Sequence, residues 1–363
     1  MVAGIGTSIM KYSGISCSLH KMRTDRGAAK KKFLTDPRTP TWQPVWPPSC
    51  SRSITVSYLP QDKRRDDLTA RLGSTMTNRE VFDQCLSVVI ARRIAPIEMA
   101  TNVTPIALTI AGADCSAGAG IQADLKTFLN HGIHGLSAIS CVVAETPREV
   151  RQIEPTEIST LEAQLRILIE HYPIYAAKTG LLPSVESVRT TAEILREHQI
   201  PLVVDPVMIA STGSNLTDGE TIHALTNDLL PVATLVTPNI PEAEALLDCT
   251  IQSEAELEAA ARDIGQRYDI SCLLKGGHLP GEGDRLDVLW HQEQAHHFQH
   301  PFIPTPAGMH GTGCTLSAAI TAGLAQGRDM REAVARAIDY LQQLIKSAHT
   351  WEHDNHRISC LGW

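Results

Sequence analysis

The sequence predicts an α/β fold between about Ile106 and Ile345, built on a mostly parallel central sheet with helices on both faces. Two observations carry this reading. Apolar runs rich in small and β-branched residues alternate with helical patterns of roughly 10–15 residues, the rhythm of strand–helix–strand units. The glycine- and proline-bearing segments each follow a strand, at the end where parallel sheets bind ligands. In order, Ile106–Ala111 is predicted as a buried strand, Gly118–Leu129 as a helix and Gly135–Ala144 as a second strand. Leu161, Leu165, Leu168 and Ile169 give Ser159–His171 helical spacing. A strand over Ala176–Thr179, a helix over Ser184–His198 and a strand over Leu202–Asp205 follow. Next come strand Leu235–Thr237, a helix from Pro241, a helix over Ala255–Tyr268 and strand Cys272–Lys275. Arg285–Trp290 and His297–Ile303 read as an edge hairpin, and helices Thr312–Ala325 and Met330–Ile345 complete the fold.

With 363 residues the chain is long enough to bury a sizeable core without disulfides or structural metals. Its net charge of −8 is unevenly spread: residues 1–98 carry 16 Lys/Arg against 8 Asp/Glu, and the remainder 16 against 32. A break of that size separates two segments of different character. Residues 1–98 show short basic runs (Lys30–Lys32, Lys63–Arg65), a Pro/Trp-rich stretch over Pro40–Pro48 and one apolar patch, Cys85–Ile97. They are expected to be a disordered basic arm or translated sequence upstream of a start at Met76 or Met99, readings favoured over the third, a targeting peptide. The expected organisation is therefore an extension over 1–98, one domain over 99–350 and a tail over 351–363.

The acidic domain repels phosphate backbones and aromatic content is only 4%, so nucleic-acid binding is not expected. No apolar run reaches membrane-spanning length, and no compact hydrophobic leader is present, so no membrane partner is expected. The nine cysteines lack a CxxC pair or zinc-like spacing and read as reduced thiols of a cytoplasmic protein.

The strongest chemical signal is His310-Gly-Thr-Gly-Cys-Thr-Leu-Ser-Ala-Ala319. Two glycines let successive backbone N–H groups point into one concavity, and the apolar run behind them is a helix. A helix N-terminus behind such a turn is an anion site, suited to a phosphoryl group in transfer. The bland reading is a tight helix entry with a buried Cys. Asn239 and Glu242, three apart at a helix start, face one point, but alone they read as an N-cap and a first-turn acid. No Gly-xxxx-Gly-Lys-Ser/Thr segment occurs, so this is not a P-loop protein.

The 310–319 segment resembles the anion-hole motif of hydroxymethylpyrimidine/phosphomethylpyrimidine kinases, a branch of the ribokinase superfamily. Ile106-Ala-Leu-Thr-Ile-Ala-Gly-Ala-Asp-Cys-Ser-Ala-Gly-Ala-Gly-Ile-Gln-Ala-Asp-Leu-Lys-Thr127 is similar to that family's first strand, glycine turn and first helix. Asp205-Pro-Val-Met208, Thr237-Pro-Asn-Ile-Pro-Glu-Ala243 and Leu274-Lys-Gly-Gly-His278 match in the family's order. The resemblance implies a ribokinase-like fold and ATP with Mg²⁺ as phosphoryl donor. It also implies two successive phosphorylations of 4-amino-5-hydroxymethyl-2-methylpyrimidine, in thiamine biosynthesis, and a homodimer.

Taken residue by residue, the resemblance makes Gly311, Thr312 and Gly313 the anion hole. Cys314 stands where most sugar kinases of the superfamily carry an aspartate base; a thiol at a helix N-terminus is expected to have a lowered pKa and to accept the hydroxymethyl proton, or else only to pack beside the substrate. Asn239 and Glu242 are expected to order Mg²⁺ against the nucleotide phosphates, with Asp205 a second carboxylate for the metal and Lys275 an ATP contact. Gly118, Gly120 and Asp124 are expected to line the acceptor pocket, Asp124 otherwise being an exposed helix carboxylate. Leu181 and Val207 supply apolar walls.

The chain departs from the family in the Val143-Ala-Glu-Thr-Pro147 loop, where Glu145 replaces a glutamine. A glutamine amide both donates to and accepts from an aminopyrimidine edge, whereas an ionised Glu145 only accepts. Either the ring binds protonated, as a two-donor edge, or the substrate differs; the first is favoured. Cys115 and Ala117 replace a proline and a glycine with little expected consequence. The rival readings are a pyridoxal/pyridoxine kinase and a catalytically silent, ligand-sensing relative.

Overall fold

The computed structural model describes residues 104–208, 218–277, 279, 283–304, 309–354 and 356–363, and the backbone of residues 9–12 and 15–18. The chain divides into two units, Met1–Met99 and Ala100–Trp363. In the first, β1 (Ile9–Tyr12) and β2 (Ile15–Ser18) pair antiparallel. The other expectations for residues 1–98 lie outside the described residues, as does His278.

In the second unit the elements run β3 (Ile106–Asp114), α1 (Gly120–Asn130), β4 (His134–Thr146), β5 (Glu149–Pro155), α2 (Ile158–His171), β6 (Ala176–Thr179), α3 (Val185–His198) and β7 (Leu202–Val204). There follow α4 (Gly219–Ala224), which runs on through a π turn and a 3₁₀ turn to Val232, then β8 (Leu235–Val236), α5 (Ile240–Leu247), α6 (Glu254–Tyr268) and β9 (Ser271–Leu274). The last elements are β10 (Arg285–His291), β11 (Gln294–His300), α7 (Thr312–Ala325), α8 (Met330–Lys346), β12 (His349–His353) and β13 (His356–Cys360). The large sheet has nine strands in the order β11-β10-β9-β8-β7-β6-β3-β4-β5. Its six central strands, β9 to β4, are parallel, and the flanking pairings are antiparallel.

The central strands carry buried apolar residues on both faces because both faces are covered, with a few buried polar residues such as Thr109 and Lys178 among them. Successive strand residues point to opposite sides. Thus Leu202 and Val204 join the core under α2, α3 and α6, while Val203 joins the core under α7 and α8. Leu235 and Val236 divide the same way, as do Leu273 and Leu274. Helix α1 shares the α7 side through Phe128, which meets Ala318 and Ala322.

The predicted α/β architecture and its element order are present. Three parts differ from the sequence reading. Strand β5 was not foreseen: its Glu149, Arg151, Gln152 and Glu154 are exposed, and a charged edge strand lacks an apolar signature. The hairpin turns earlier than expected, at Gln292-Glu293, both at positive φ (51° and 60°). A two-residue turn of that geometry normally announces itself with Asn or Gly, and neither is here. The expected tail over 351–363 instead contains most of an antiparallel hairpin, β12–β13. No helix among the described residues is long and apolar enough to cross a membrane.

Candidate active site

The loop ending in Gly311 leads into α7. Gly311 is the N-cap, in the left-handed region at φ 81°, and no side chain caps the helix. The intrahelical ladder begins with the Thr315 N–H donating to the Gly311 carbonyl at 2.9 Å. The amides of Thr312, Gly313 and Cys314 therefore sit uncapped at the positive end of the helix, with no acidic residue in the first turn to compete for them. That is a seat for an anion.

An ion pair lies directly under this turn. A β-carbon on Gly313 would stand 3.4 Å from Lys275 Nζ and 3.7 Å from Asp205 Oδ2. Lys275 Nζ is 3.5 Å from Asp205 Oδ1, and Ser317 Oγ, from the next turn of α7, donates to Asp205 Oδ2 at 3.3 Å. Burial opposes the charge on Lys275, but Asp205 and Glu242 outweigh it and hold the ammonium above its ordinary value.

Asn239 and Glu242 form a reciprocal capping box at the start of α5. The Glu242 N–H donates to Asn239 Oδ1 at 2.9 Å and the Asn239 N–H to Glu242 Oε2 at 2.8 Å. The capping role and a cleft position coexist, since both residues also line the cleft described below. Burial, then repulsion from Asp205, pushes Glu242 up to about 7 against the pull of Lys275.

These groups border a single cleft of about 640 Å³. One wall carries Gly311 to Cys314, Asp205 and Lys275. Gly120, Glu145, Leu181 and Val207 line the same cleft. Glu145 follows a register shift between β4 and β5 at Ala144/Glu145, a bulge of the kind that re-aims a side chain. Burial, reinforced by Asp114, pushes its carboxyl up to about 7.

Three expectations need correction. The Cys314 thiol is not lowered: burial pushes it up to about 12, helped by Asp205 and Asp124 and only partly opposed by Lys178. The helix end cannot offset loss of water around the sulfur. Asp124 neither lines the cleft nor is exposed. It is fully buried, 2.8 Å from Lys178 Nζ, and accepts from Thr109 Oγ1 at 2.6 Å. Burial pushes its carboxyl up while Lys178 pulls it down. Gly118 also stays out of the cleft wall; it packs against the His310 ring and the Gly311 backbone.

The sequence reading gave no role to Asp114, Lys178 or His310. Asp114 and His310 stand inside the quoted segments and Lys178 in the strand over Ala176–Thr179, and the signal available was a polar residue close to a glycine. The far end of the cleft, with Phe302, Ile338, Leu341 and Ile345, was also unforeseen. Its residues come from the end of the hairpin and from α8, which carry no motif. There Arg285 lies 4.3 Å over the Phe302 ring.

The sequence profile of the phosphomethylpyrimidine kinase family matches residues 114–359, which contain every cleft-forming segment except the first strand. The chain belongs to this family. It is 40% identical over 242 residues to the hydroxymethylpyrimidine/phosphomethylpyrimidine kinase of Synechococcus elongatus, a match covering 67% of this chain and 92% of that one. The chain spans about half the length of two further curated relatives, 47% of one from Schizosaccharomyces pombe and 49% of the bifunctional thiamine biosynthesis protein of Geobacter sulfurreducens. Among solved structures, the phosphomethylpyrimidine kinase of Clostridium difficile superposes with a TM-score of 0.59 at 36% identity, covering 66% of this chain and 98% of that one. The ADP complex of Bacillus subtilis pyridoxal kinase gives 0.65 at 34% identity, with 71% and 97% covered. The ribokinase-like fold of this phosphomethylpyrimidine kinase family member thus rests on both sequence and superposition.

Proposed function

We propose that this family member transfers the γ-phosphoryl group of ATP first to the hydroxymethyl oxygen of 4-amino-5-hydroxymethyl-2-methylpyrimidine, and then to the phosphate of the resulting monophosphate. The observation that carries this reading is the shared cleft, lined by the uncapped start of α7 and Lys275 together with apolar Leu181 and Val207 and the Glu145 carboxyl group. Phosphoryl transfer needs positioning and charge stabilisation more than covalent chemistry, and that is what these groups supply. The apolar end beside Phe302 and Leu341 takes the nucleotide base. The decisive experiment is a coupled ADP-release assay offering the hydroxymethylpyrimidine, its monophosphate and pyridoxine side by side. Turnover of pyridoxine alone would hand the cleft to the pyridoxal kinase reading, which the Bacillus subtilis superposition keeps in view.

Magnesium fits the donor set. Among the described residues no three His, Cys, Asp or Glu side chains are grouped to hold a metal, but Asp205 and Glu242 both line the cleft. Mg²⁺ keeps several waters and binds through one or two carboxylates plus phosphate oxygens, so two carboxylates suffice. Glu242, held up by burial and by Asp205, is a carboxyl that a cation would relieve. When bound, the ion neutralises charge on the transferring phosphates. The homodimer belongs to the same proposal, and β5 offers it a sheet edge unpaired among the described residues.

Cys314 enters the reaction protonated. With a thiol near 12, the thiolate is a negligible fraction at neutral pH, and a loose transition state does not require early proton removal. Cys314→Ala is therefore expected to lower kcat of the first phosphorylation by less than about tenfold, a loss smaller than removal of a general base brings. Its kcat should also stay level between pH 6 and 8. A wild-type kcat that climbs steadily with pH, and a mutant that does not, would restore the base role.

Glu145 gives a sharper pH signature. Below about 7 its carboxyl keeps a proton and offers one O–H donor and one carbonyl acceptor, the pattern of a glutamine amide. Above that value the group only accepts, unless the ring brings the proton. Either way the complex holds one more proton than ionised Glu145 with a neutral ring. kcat/KM for the pyrimidine is thus expected to be level at acid pH and to fall about tenfold per unit above 7. Glu145→Gln should flatten the profile. Initial-rate measurements from pH 5.5 to 9 decide, and identical profiles for both proteins would remove the proton-sharing account.

A further inference from the structure

The acceptor-side turn and the phosphate loop meet at one side chain. Asp114, at the end of β3, is buried and accepts four hydrogen bonds from the turn that follows: Ser116 N–H at 2.7 Å, Ser116 Oγ at 2.9 Å, Gly118 N–H at 2.9 Å and Ala119 N–H at 2.8 Å. That carboxylate shapes the turn and delivers Ala119 and Gly120 to the cleft wall. Across from it stands His310, 5% exposed and one residue before the N-cap of α7. Its Nε2 is 3.1 Å from Ser116 Oγ and 3.5 Å from Asp114 Oδ2.

The single hydroxyl proton of Ser116 goes to Asp114, so the serine oxygen accepts from His310, which fixes the Nε2–H tautomer. Burial lowers the imidazole from its ordinary value although Asp114 pulls the other way, in keeping with a neutral ring. The arrangement is not a nucleophile relay. Such a relay uses both ring nitrogens, one toward the serine and one toward the acid, whereas here Nε2 alone faces both. Packing adds to the bond. A β-carbon on Gly118 would run into the His310 ring, and one on Gly311 would run into the Gly118 carbonyl.

We propose that His310 is a positioning residue, which sets the spacing between the acceptor-binding turn Asp114–Gly120 and the phosphoryl-binding loop Gly311–Cys314. The proposal rests on the kinase reading above and names a residue that the reading does not use. Each loop keeps its own supports without the ring: Asp114 still holds its turn, and α7 still starts at Gly311. What goes is their mutual register, and reacting atoms must approach to roughly 3–3.5 Å, where about 1 Å of misplacement costs about a hundredfold.

The test compares wild type, His310→Ala, His310→Gln and Ser116→Ala, with each protein's Tm measured alongside its kinetics. His310→Ala is expected to lose about a hundredfold in kcat while both KM values stay within about threefold. ADP released per acceptor phosphorylated should rise above one, because water enters the space the ring filled between loops that then meet only through their backbones. His310→Gln, whose amide still donates toward Ser116, should recover most of kcat. If His310→Ala does not fold, Ser116→Ala carries the test with an expected fall in kcat of about fivefold at wild-type Tm, a modest share of the ring's positioning effect. Unchanged kcat in the folded variants, or KM rising in step with the fall in kcat, overturns the proposal. A wild-type protein that phosphorylates neither the hydroxymethylpyrimidine nor its monophosphate sinks the kinase reading instead, and the two failures are distinct.

Discussion

Lys178→Met is expected to cost roughly 3–5 kcal/mol of folding stability, enough to lower the folded-to-unfolded ratio by more than a hundredfold. Lys178 is on β6 and Asp124 on α1, and both are wholly buried at 2.8 Å. Burial opposes the ammonium's charge, but Asp124 and Asp205 outweigh it and hold Lys178 above its ordinary value. Removing it leaves the Asp124 carboxylate with Thr109 Oγ1 as its remaining side-chain donor among the described residues, in a space closed to water. A lone buried carboxylate is far more costly than a paired one, and the protein escapes only by protonating it. Lys178→Met/Asp124→Leu, which removes both charges, should recover a large part of the loss. Urea unfolding of the three proteins reads this directly. If the single mutant unfolds at the wild-type midpoint, the pair is not a buried ion pair in solution.

The same pair shows where sequence reasoning reached its limit. Asp124 sits one turn into α1 and Lys178 is the third residue of a four-residue strand, 54 positions away. Nothing in either segment's pattern says that one charge answers the other, so Asp124 read as a pocket residue or an exposed helix acid. By contrast, the strands with apolar residues on both faces could be read directly, because a parallel sheet leaves no polar face to hide them. The helix starts were readable as well where caps exist: Ser184 and Asn239 both head capping boxes. The charged edge strand β5 and the Gln292-Glu293 turn escaped because neither uses the residues that usually mark such elements. The anion loop was legible from Gly311 to Cys314. The thiol's proton affinity was not, since it depends on how much protein surrounds the sulfur, a quantity that no local motif records.

Gly311→Ala is expected to abolish phosphoryl transfer, with kcat for both acceptors reduced at least a hundredfold to a thousandfold, the loss seen when an oxyanion donor is displaced. Two independent constraints act at this position. Its φ of 81° lies in the left-handed region, where an alanine is strained by about 1–2 kcal/mol. Its missing β-carbon also leaves room for the Gly118 carbonyl, which a methyl group would strike. The backbone must therefore rotate or withdraw, and either movement turns the Thr312 and Gly313 amides away from the phosphoryl position. The ladder from Thr315 onward does not depend on this residue's side chain, so α7 should persist and the Tm should fall only modestly. Binding of ADP, measured by calorimetry, should weaken less than kcat, because Lys275 and the apolar end of the cleft remain. Were Gly311→Ala to turn over at near wild-type rate with an intact fold, the α7 amides would not be the groups that stabilise the migrating phosphoryl group, and the burden would pass to Lys275 and the bound metal ion.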